Sequence, residues 1–257
     1  MLEAFIPTAQ ALVLIPARYA STRFPGKPLT LLAGKSMIER VYSQCAEAQE
    51  LLVNSFKLDV AVVTDDDRIE AHVKSFGGVV HRVDDDVPSG TQRVSLAWQR
   101  FYKQENYDHI INVQGDEPLF FADDLKKLID FHAQAPFDIA TMVHKCSDDE
   151  GFSNPNRVKV VWEHESGRCF YFSRAGIPYR RENISKEWHQ HVGVYSYTPV
   201  ALTKFVESPA SLYEELECLE QLRALAVGMS IGATTIDHEL IGVDTPEDKE
   251  RVEGVLS

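Results

Sequence analysis

The sequence predicts an α/β protein, with a mainly parallel sheet, helices between its strands, and an antiparallel hairpin added late in the chain. Two observations carry this. Over the first two thirds of the 257 residues, short runs rich in Val, Ile and Leu alternate with segments whose apolar residues recur at helical spacing. After about Asn154 the alternation stops, and two strand-like runs flank a polar turn. Strand–helix alternation implies right-handed crossovers and parallel pairing. Ligands of such sheets lie beyond the carboxyl ends of the strands.

In chain order, Leu12-Val13-Leu14-Ile15 is a buried strand that stops at Pro16. Met37, Ile38, Val41, Tyr42 and Cys45 mark a helix with Ser36 as its N-cap. Val60 to Val63 form a strand ending in Thr64-Asp65, followed by a helix with Ile69, Val73 and Phe76 on one face. Val79-Val80 is a short strand. Val94, Ala97, Trp98 and Phe101 give a further helix, Ile110 to Val113 a strand, and Leu125, Leu128 and Ile129 another helix. Val158 to Trp162 and Cys169 to Phe172 flank Ser166-Gly167 as a hairpin, and His191 to Tyr197 is a strand. Leu212, Leu216, Leu219 and Arg223 lie on one side of a single late helix. No repeat or linker interrupts this order. The expectation is one domain over 1–257, with 1–11 as an N-terminal extension and about 154–212 as the hairpin region.

Composition narrows the function. A formal net charge of -13 leaves no basic face for nucleic acid once the first loop is set aside. No apolar run has the length of a membrane span, and residues 1–10 lack the basic, then hydrophobic, order of a secretory signal. Cys45, Cys146, Cys169 and Cys218 are scattered without zinc-site spacing and read as reduced thiols of a cytoplasmic protein.

The loop after the first strand breaks the acidic balance. From Ala4 to Ile38 there is no Asp or Glu, and Arg18, Arg23, Lys27 and Lys35 gather there among Ala17, Ala20, Ser21 and Gly26. Basic side chains beside small residues that let backbone N–H groups approach make a site for a polyanion. Gly34-Lys35-Ser36 is not a P-loop ending, because Leu29 stands where that motif needs Gly.

Ile15 to Leu29, IPARYASTRFPGKPL, resembles the signature loop of sugar-activating nucleotidyltransferases, above all the 3-deoxy-D-manno-octulosonate (Kdo) cytidylyltransferase family. The resemblance recurs in order at Gln114 to Pro118, Tyr171 to Arg174, Leu219 to Arg223 and Gly242 to Asp248. It implies a Rossmann-like, glycosyltransferase-A-like nucleotidyltransferase domain that joins CTP to an acid sugar, giving CMP-Kdo and pyrophosphate for lipopolysaccharide synthesis. A homodimer formed through the hairpin region is implied as well, since Val158 to Phe172 offers more apolar surface than a peripheral hairpin exposes. An 8-amino octulosonate or sialic acid as acceptor, and a nucleotide-binding module without catalysis, stay open.

The resemblance assigns Arg18 and Arg23 to the CTP phosphates and Lys27 to the departing pyrophosphate region, with Ser21, Ser89, Arg93 and Gln114 also on the nucleotide. Gln92 stands where the family usually has an acidic residue, which leaves Arg93 without its habitual neighbouring charge. Asp116, after a strand and a Gly, suits a cation. The resemblance pairs it with Asp244 as a Mg2+ site; nothing in their spacing does so, and Asp244 before Thr245-Pro246 is also a good helix cap. Lys27, Asp116 and Asp244 are then the catalytic set. Two acids in an empty site would repel, so Asn at either position should cost no stability. The acceptor carries a carboxylate and hydroxyls, and Gln114, Arg174, His191, Tyr195, Glu220 and Gln221 are its candidates. His189-x-His191 lacks a third metal ligand nearby. Asp65-Asp66-Asp67 and Asp84-Asp85-Asp86 sit at strand-to-helix junctions and read as structural.

Overall fold

A computed structural model describes residues 9–20, 24–182, 185–243 and 246–256. The chain divides into two compact units, 1–126 with 240–257, and 127–239.

In the first unit β1 (Ala9–Ala17) is buried from Ala11 onward, because it is paired on both sides. A short 3-10 turn, Lys27–Leu29, leads into the small hairpin of β2 (Leu31–Leu32) and β3 (Lys35–Ser36). α1 (Met37–Leu52) starts where Ser36 Oγ accepts the Glu39 N–H at 3.2 Å. It buries Met37, Ile38, Val41, Cys45, Ala48 and Leu52 at helical spacing. β4 (Phe56–Thr64) follows, then α2 (Asp67–Ser75), whose N-cap Asp66 accepts from the N–H groups of Arg68 and Ile69. β5 (Val80–Arg82) precedes α3 (Gly90–Ala97), which runs into a π-type turn over Trp98–Tyr102. β6 (His109–Asn112) completes a parallel sheet in the order β6-β1-β4-β5. Of the acidic runs, Asp66 is a cap, while Asp84 and Asp85 pair with Arg82 and Arg100.

The division falls within α4 (Ala122–Gln134). The second unit continues with β7 (Ile139–Cys146), α5 (Asp149–Ser153), β8 (Lys159–Trp162), β9 (Cys169–Ser173) and β10 (Trp188–Tyr197). Three short helices follow, α6 (Pro199–Glu207), α7 (Leu212–Glu217) and α8 (Gln221–Ala226), then β11 (Ile231–Ile236). β11 runs parallel to β7, β7 antiparallel to β10, β10 to β8, and β8 to β9. The chain returns to the first unit as α9 (Pro246–Leu256).

Two expectations are corrected here. The late helix is broken: Cys218 adopts a left-handed conformation at φ 51, ending α7 before α8 begins, and Leu212 and Leu216 are exposed rather than buried. The hairpin leaves less apolar surface open than expected, because part of it is packed within its own unit. Val160, Cys169 and Phe172 are buried, and Phe170 is the large exposed one.

Candidate active site

The first unit gathers its chemistry at the carboxyl ends of β1 and β6, where α3 begins. Gly115 passes so close to the Pro16 carbonyl that a Cβ would lie 3.0 Å from it. This contact brings Asp116 beside the basic loop. Lys27, nearly buried, donates from Nζ to Asp116 Oδ2 at 2.6 Å. The Val243 N–H donates to the Asp116 carbonyl at 3.3 Å, so the residue before Asp244 is tied to Asp116. Sequence spacing alone could not have paired these segments, which lie more than a hundred residues apart. A carboxylate that already meets a cation at Oδ2, with a second acidic residue following Val243, fits a divalent metal site in its donor chemistry. Asp244 itself, with Ser21 and Arg23, lies outside the described residues.

Ser89 caps α3, its Oγ accepting the Gln92 N–H at 3.3 Å. Arg18 reaches the carbonyls of Val87 and Ser89 and so braces the same segment. Gln114 donates to Asn112 Oδ1 at 3.2 Å, and its own Oε1 lies beside Gly90. Arg93 is 1 % exposed, with its guanidinium on the Val83 carbonyl and on Asp65 Oδ2 at 2.6 Å. This corrects the expectation of an Arg93 without a neighbouring charge: where Gln92 offers none, Asp65 at the end of β4 supplies it. Arg93 is therefore neither a solvent-facing helix residue nor an open contact, and it acts on the 83–89 segment. The loop is held from a second side by Arg68, whose guanidinium lies 3.2 Å above the Tyr19 ring. Tyr19 in turn packs on Gly26, whose φ of 72 and close ring contact leave no room for a side chain.

In the second unit His191 and Tyr195 project from β10 with ring centroids 5.4 Å apart, and Phe172 packs edge-on to His191 at 5.0 Å. Burial pushes the His191 imidazole far below its ordinary value, to about 3, so the ring is neutral. Thr141 Oγ1 lies 2.9 and 2.8 Å from the carbonyls of Val192 and Val194 and gives its proton to one of them. It then accepts from His191 Nε2 at 3.3 Å, leaving Nδ1 as the acceptor of the ring. Burial and the Glu220 carboxylate both raise the Tyr195 phenol, which keeps it a donor. Gln221 is 5 % exposed, and its Nε2 has no hydrogen-bond partner among the described residues. An unused buried amide donor of this kind is what a polar ligand satisfies. Arg174, by contrast, is committed to backbone: Nε to the Glu217 carbonyl at 2.6 Å, Nη1 to Pro155 at 3.0 Å and Nη2 to Cys218 at 3.3 Å. His189 stacks edge-on to Trp162 at 5.0 Å.

Each unit thus brings its own share of the expected residues together: Arg18, Lys27, Ser89, Arg93, Gln114 and Asp116 in the first, and Arg174, His191, Tyr195, Glu220 and Gln221 in the second. Sequence reasoning missed Asp65, Thr141, Lys159 and Glu217, which touch these residues from elsewhere in the chain. Asp65 was hidden in an acidic run, and a lone Thr in a strand carries no linear signal. Among the described residues no cluster of His, Cys, Asp or Glu has the arrangement of a metal site. No described helix is long and apolar enough to cross a membrane.

Comparison with known proteins identifies the family. The cytidylyltransferase family model matches residues 12–231. A 3-deoxy-manno-octulosonate cytidylyltransferase of Cytophaga hutchinsonii is 43% identical over 246 residues, 93% of this chain and 94% of the relative. An 8-amino-3,8-dideoxy-manno-octulosonate cytidylyltransferase of Shewanella halifaxensis is 40% identical over 238 residues, 92% and 94% of the two chains. The solved structure of a CMP:2-keto-3-deoxy-manno-octonic acid synthetase complexed with CTP superposes with a TM-score of 0.85 at 36% identity, covering 96% of this chain and 98% of that one. With a family model matched over most of its length and a relative 43% identical over 93% of it, the chain belongs to the cytidylyltransferase family and is a nucleotidyltransferase.

Proposed function

We propose that the protein transfers CMP from CTP to 3-deoxy-manno-octulosonate, releasing pyrophosphate. The observation that carries the chemistry is the meeting of Lys27, Asp116 and the end of the Val243 segment. The relatives, named for this reaction at about 40% identity, support the acceptor. The family model spans both compact units, which supports treating them as one nucleotidyltransferase domain.

The anomeric hydroxyl of the sugar attacks the α-phosphorus of CTP in line; a new O–P bond forms as the bond to the β-phosphate oxygen breaks. Arg18, Ser21, Arg23 and Lys27 take the triphosphate, Arg as a fork and Lys as a compact charge that offsets the developing pyrophosphate. Ser89, Arg93 and Gln114 form the nucleoside side of the site, with Arg93 shaping the 83–89 segment from beneath. Asp116 and Asp244 would hold Mg2+, which when bound would supply positive charge against the phosphates. On the acceptor, His191 Nδ1 accepts from a hydroxyl, the Tyr195 phenol and the Gln221 amide donate, and the Glu220 carboxylate accepts. Gln114 completes the acceptor set, and Arg174, spent on the carbonyls of Glu217, Pro155 and Cys218, supports it from behind. We assign the enzyme to the cytoplasm, where its nucleotide is made, as a homodimer.

The nucleotide half of this reading is tested by pyrophosphate release with CTP, UTP, ATP or GTP beside the same acid sugar and Mg2+. CTP is expected to dominate; equal turnover with ATP would remove the cytidylyl assignment. The match to 8-amino relatives favours one second reading, the amino sugar as acceptor.

A further inference from the structure

The bend between α7 and α8 places Glu220 and Gln221, and its residues are held from outside. Cys218 takes a left-handed φ of 51 that a side chain rarely adopts, closed from within the helix by its own N–H and that of Leu219 on the Glu214 carbonyl. Arg174 braces it from outside with two N–H groups, one on the Glu217 carbonyl at 2.6 Å and one on the Cys218 carbonyl at 3.3 Å. These are end-of-helix carbonyls that have no partner within α7. The Glu217 side chain closes the circuit in the other direction, accepting the Arg174 N–H at 2.8 Å and the Ser173 hydroxyl at 2.6 Å. Arg174 is itself anchored: its carbonyl accepts from Lys159 Nζ at 2.6 Å. That ammonium is fully buried and also holds the carbonyls of Asn154 and Arg157. A buried lysine spent wholly on carbonyls has one outcome, a fixed loop geometry.

We propose that Arg174 and Glu217 form a reciprocal clamp that sets the Cys218 bend and so delivers Glu220 and Gln221 to the acceptor, making both of them positioning residues. The inference rests on the acceptor assignment above, and it gives Glu217, which no resemblance singled out, a part in selecting the sugar. Without the clamp the bend relaxes toward ordinary helix, and the unpartnered Gln221 amide turns away from its place.

Arg174→Lys and Glu217→Gln test it together, with Ser173→Ala as a milder variant that removes only the hydroxyl arm. Losing charge-assisted bonds to the bend is expected to raise KM for the acid sugar about tenfold in the first two variants while kcat changes by less than about threefold. CTP affinity, measured by calorimetry without sugar, should not move. Amide hydrogen exchange at 217–222, read with no substrate at all, should quicken in both variants and slightly in Ser173→Ala. The ratio of KM for the acid sugar to KM for its methyl ester should stay native. Arg174→Lys alone raising KM, with that ratio collapsing and native exchange in Glu217→Gln, would overturn the clamp in favour of a direct contact with the carboxylate. If no acid sugar is turned over but exchange quickens as stated, the clamp stands and the acceptor assignment falls.

Discussion

Lys27 and Asp116 show how one ion pair can serve two states. Without nucleotide the ammonium, nearly buried, meets the carboxylate at 2.6 Å. This revises the expectation of two repelling acids, since Asp116 is already compensated. Asp116→Asn should therefore lower stability slightly, by no more than about 1 kcal/mol, because the pair is part-exposed. Turnover should fall about a hundredfold or more, the size of one lost electrostatic stabiliser. Calorimetric melting beside a pyrophosphate assay checks both; near-native turnover would remove Asp116 from the chemistry. His191 gives a second test at this scale. Its pKa is about 3 folded against 6.5 as a free side chain, so the unfolded chain binds the proton more tightly. Its contribution to stability is complete above 6.5 and is lost as pH falls from there toward 3. Replacing it, as His191→Gln, should flatten the decline in denaturant midpoint between roughly pH 6 and pH 4. An unchanged decline would mean that the ring is not held neutral.

Elements were legible where a cap and a periodic stripe agree, as at Ser36 with α1 or Asp66 with α2. The hairpin of β8 and β9 was legible from its Ser166-Gly167 turn. β7 and β11 escaped, because their Ala, Met and Thr content dilutes the branched apolar signature and their parallel pairing is long-range. The late helix was over-read: Leu212, Leu216, Leu219 and Arg223 keep one helical period, but the chain turns at Cys218. Arg223 shows why. Its guanidinium pairs with Glu214 across that turn, Nε to Oε2 at 2.8 Å, with both side chains 11 % exposed. α7 is further fixed by the reciprocal Ser211–Glu214 capping box. Arg223→Met leaves a buried carboxylate unpaired and should destabilise the protein by roughly 3 kcal/mol in urea unfolding. A loss below about 0.5 kcal/mol, the range of an ordinary surface change, would show the pair to be dispensable. In the candidate site the same division holds. Lys27 and Asp116 stood out as motif residues, whereas Asp65, Thr141 and Glu217 act through contacts that only folding creates.

At the scale of the molecule, an acidic chain keeps one basic loop free of acids, and large apolar side chains are exposed in both units. Phe170, Tyr179, Leu212, Tyr213 and Leu216 are all exposed in the second unit, and they are the side chains that the proposed homodimer would cover. Light scattering at micromolar concentration should give twice the chain mass, and Leu216→Asp should shift it toward the monomer; a native chain that stays monomeric would contradict the dimer. The central claim concerns the reaction itself. With CTP and Mg2+, pyrophosphate release is measured against a panel of 3-deoxy-manno-octulosonate, its 8-amino form and sialic acid. The account predicts release with the octulosonate at a kcat/KM at least about tenfold above either rival, the discrimination one well-placed polar contact provides. Release with the 8-amino sugar alone, or with none of the three, would contradict it.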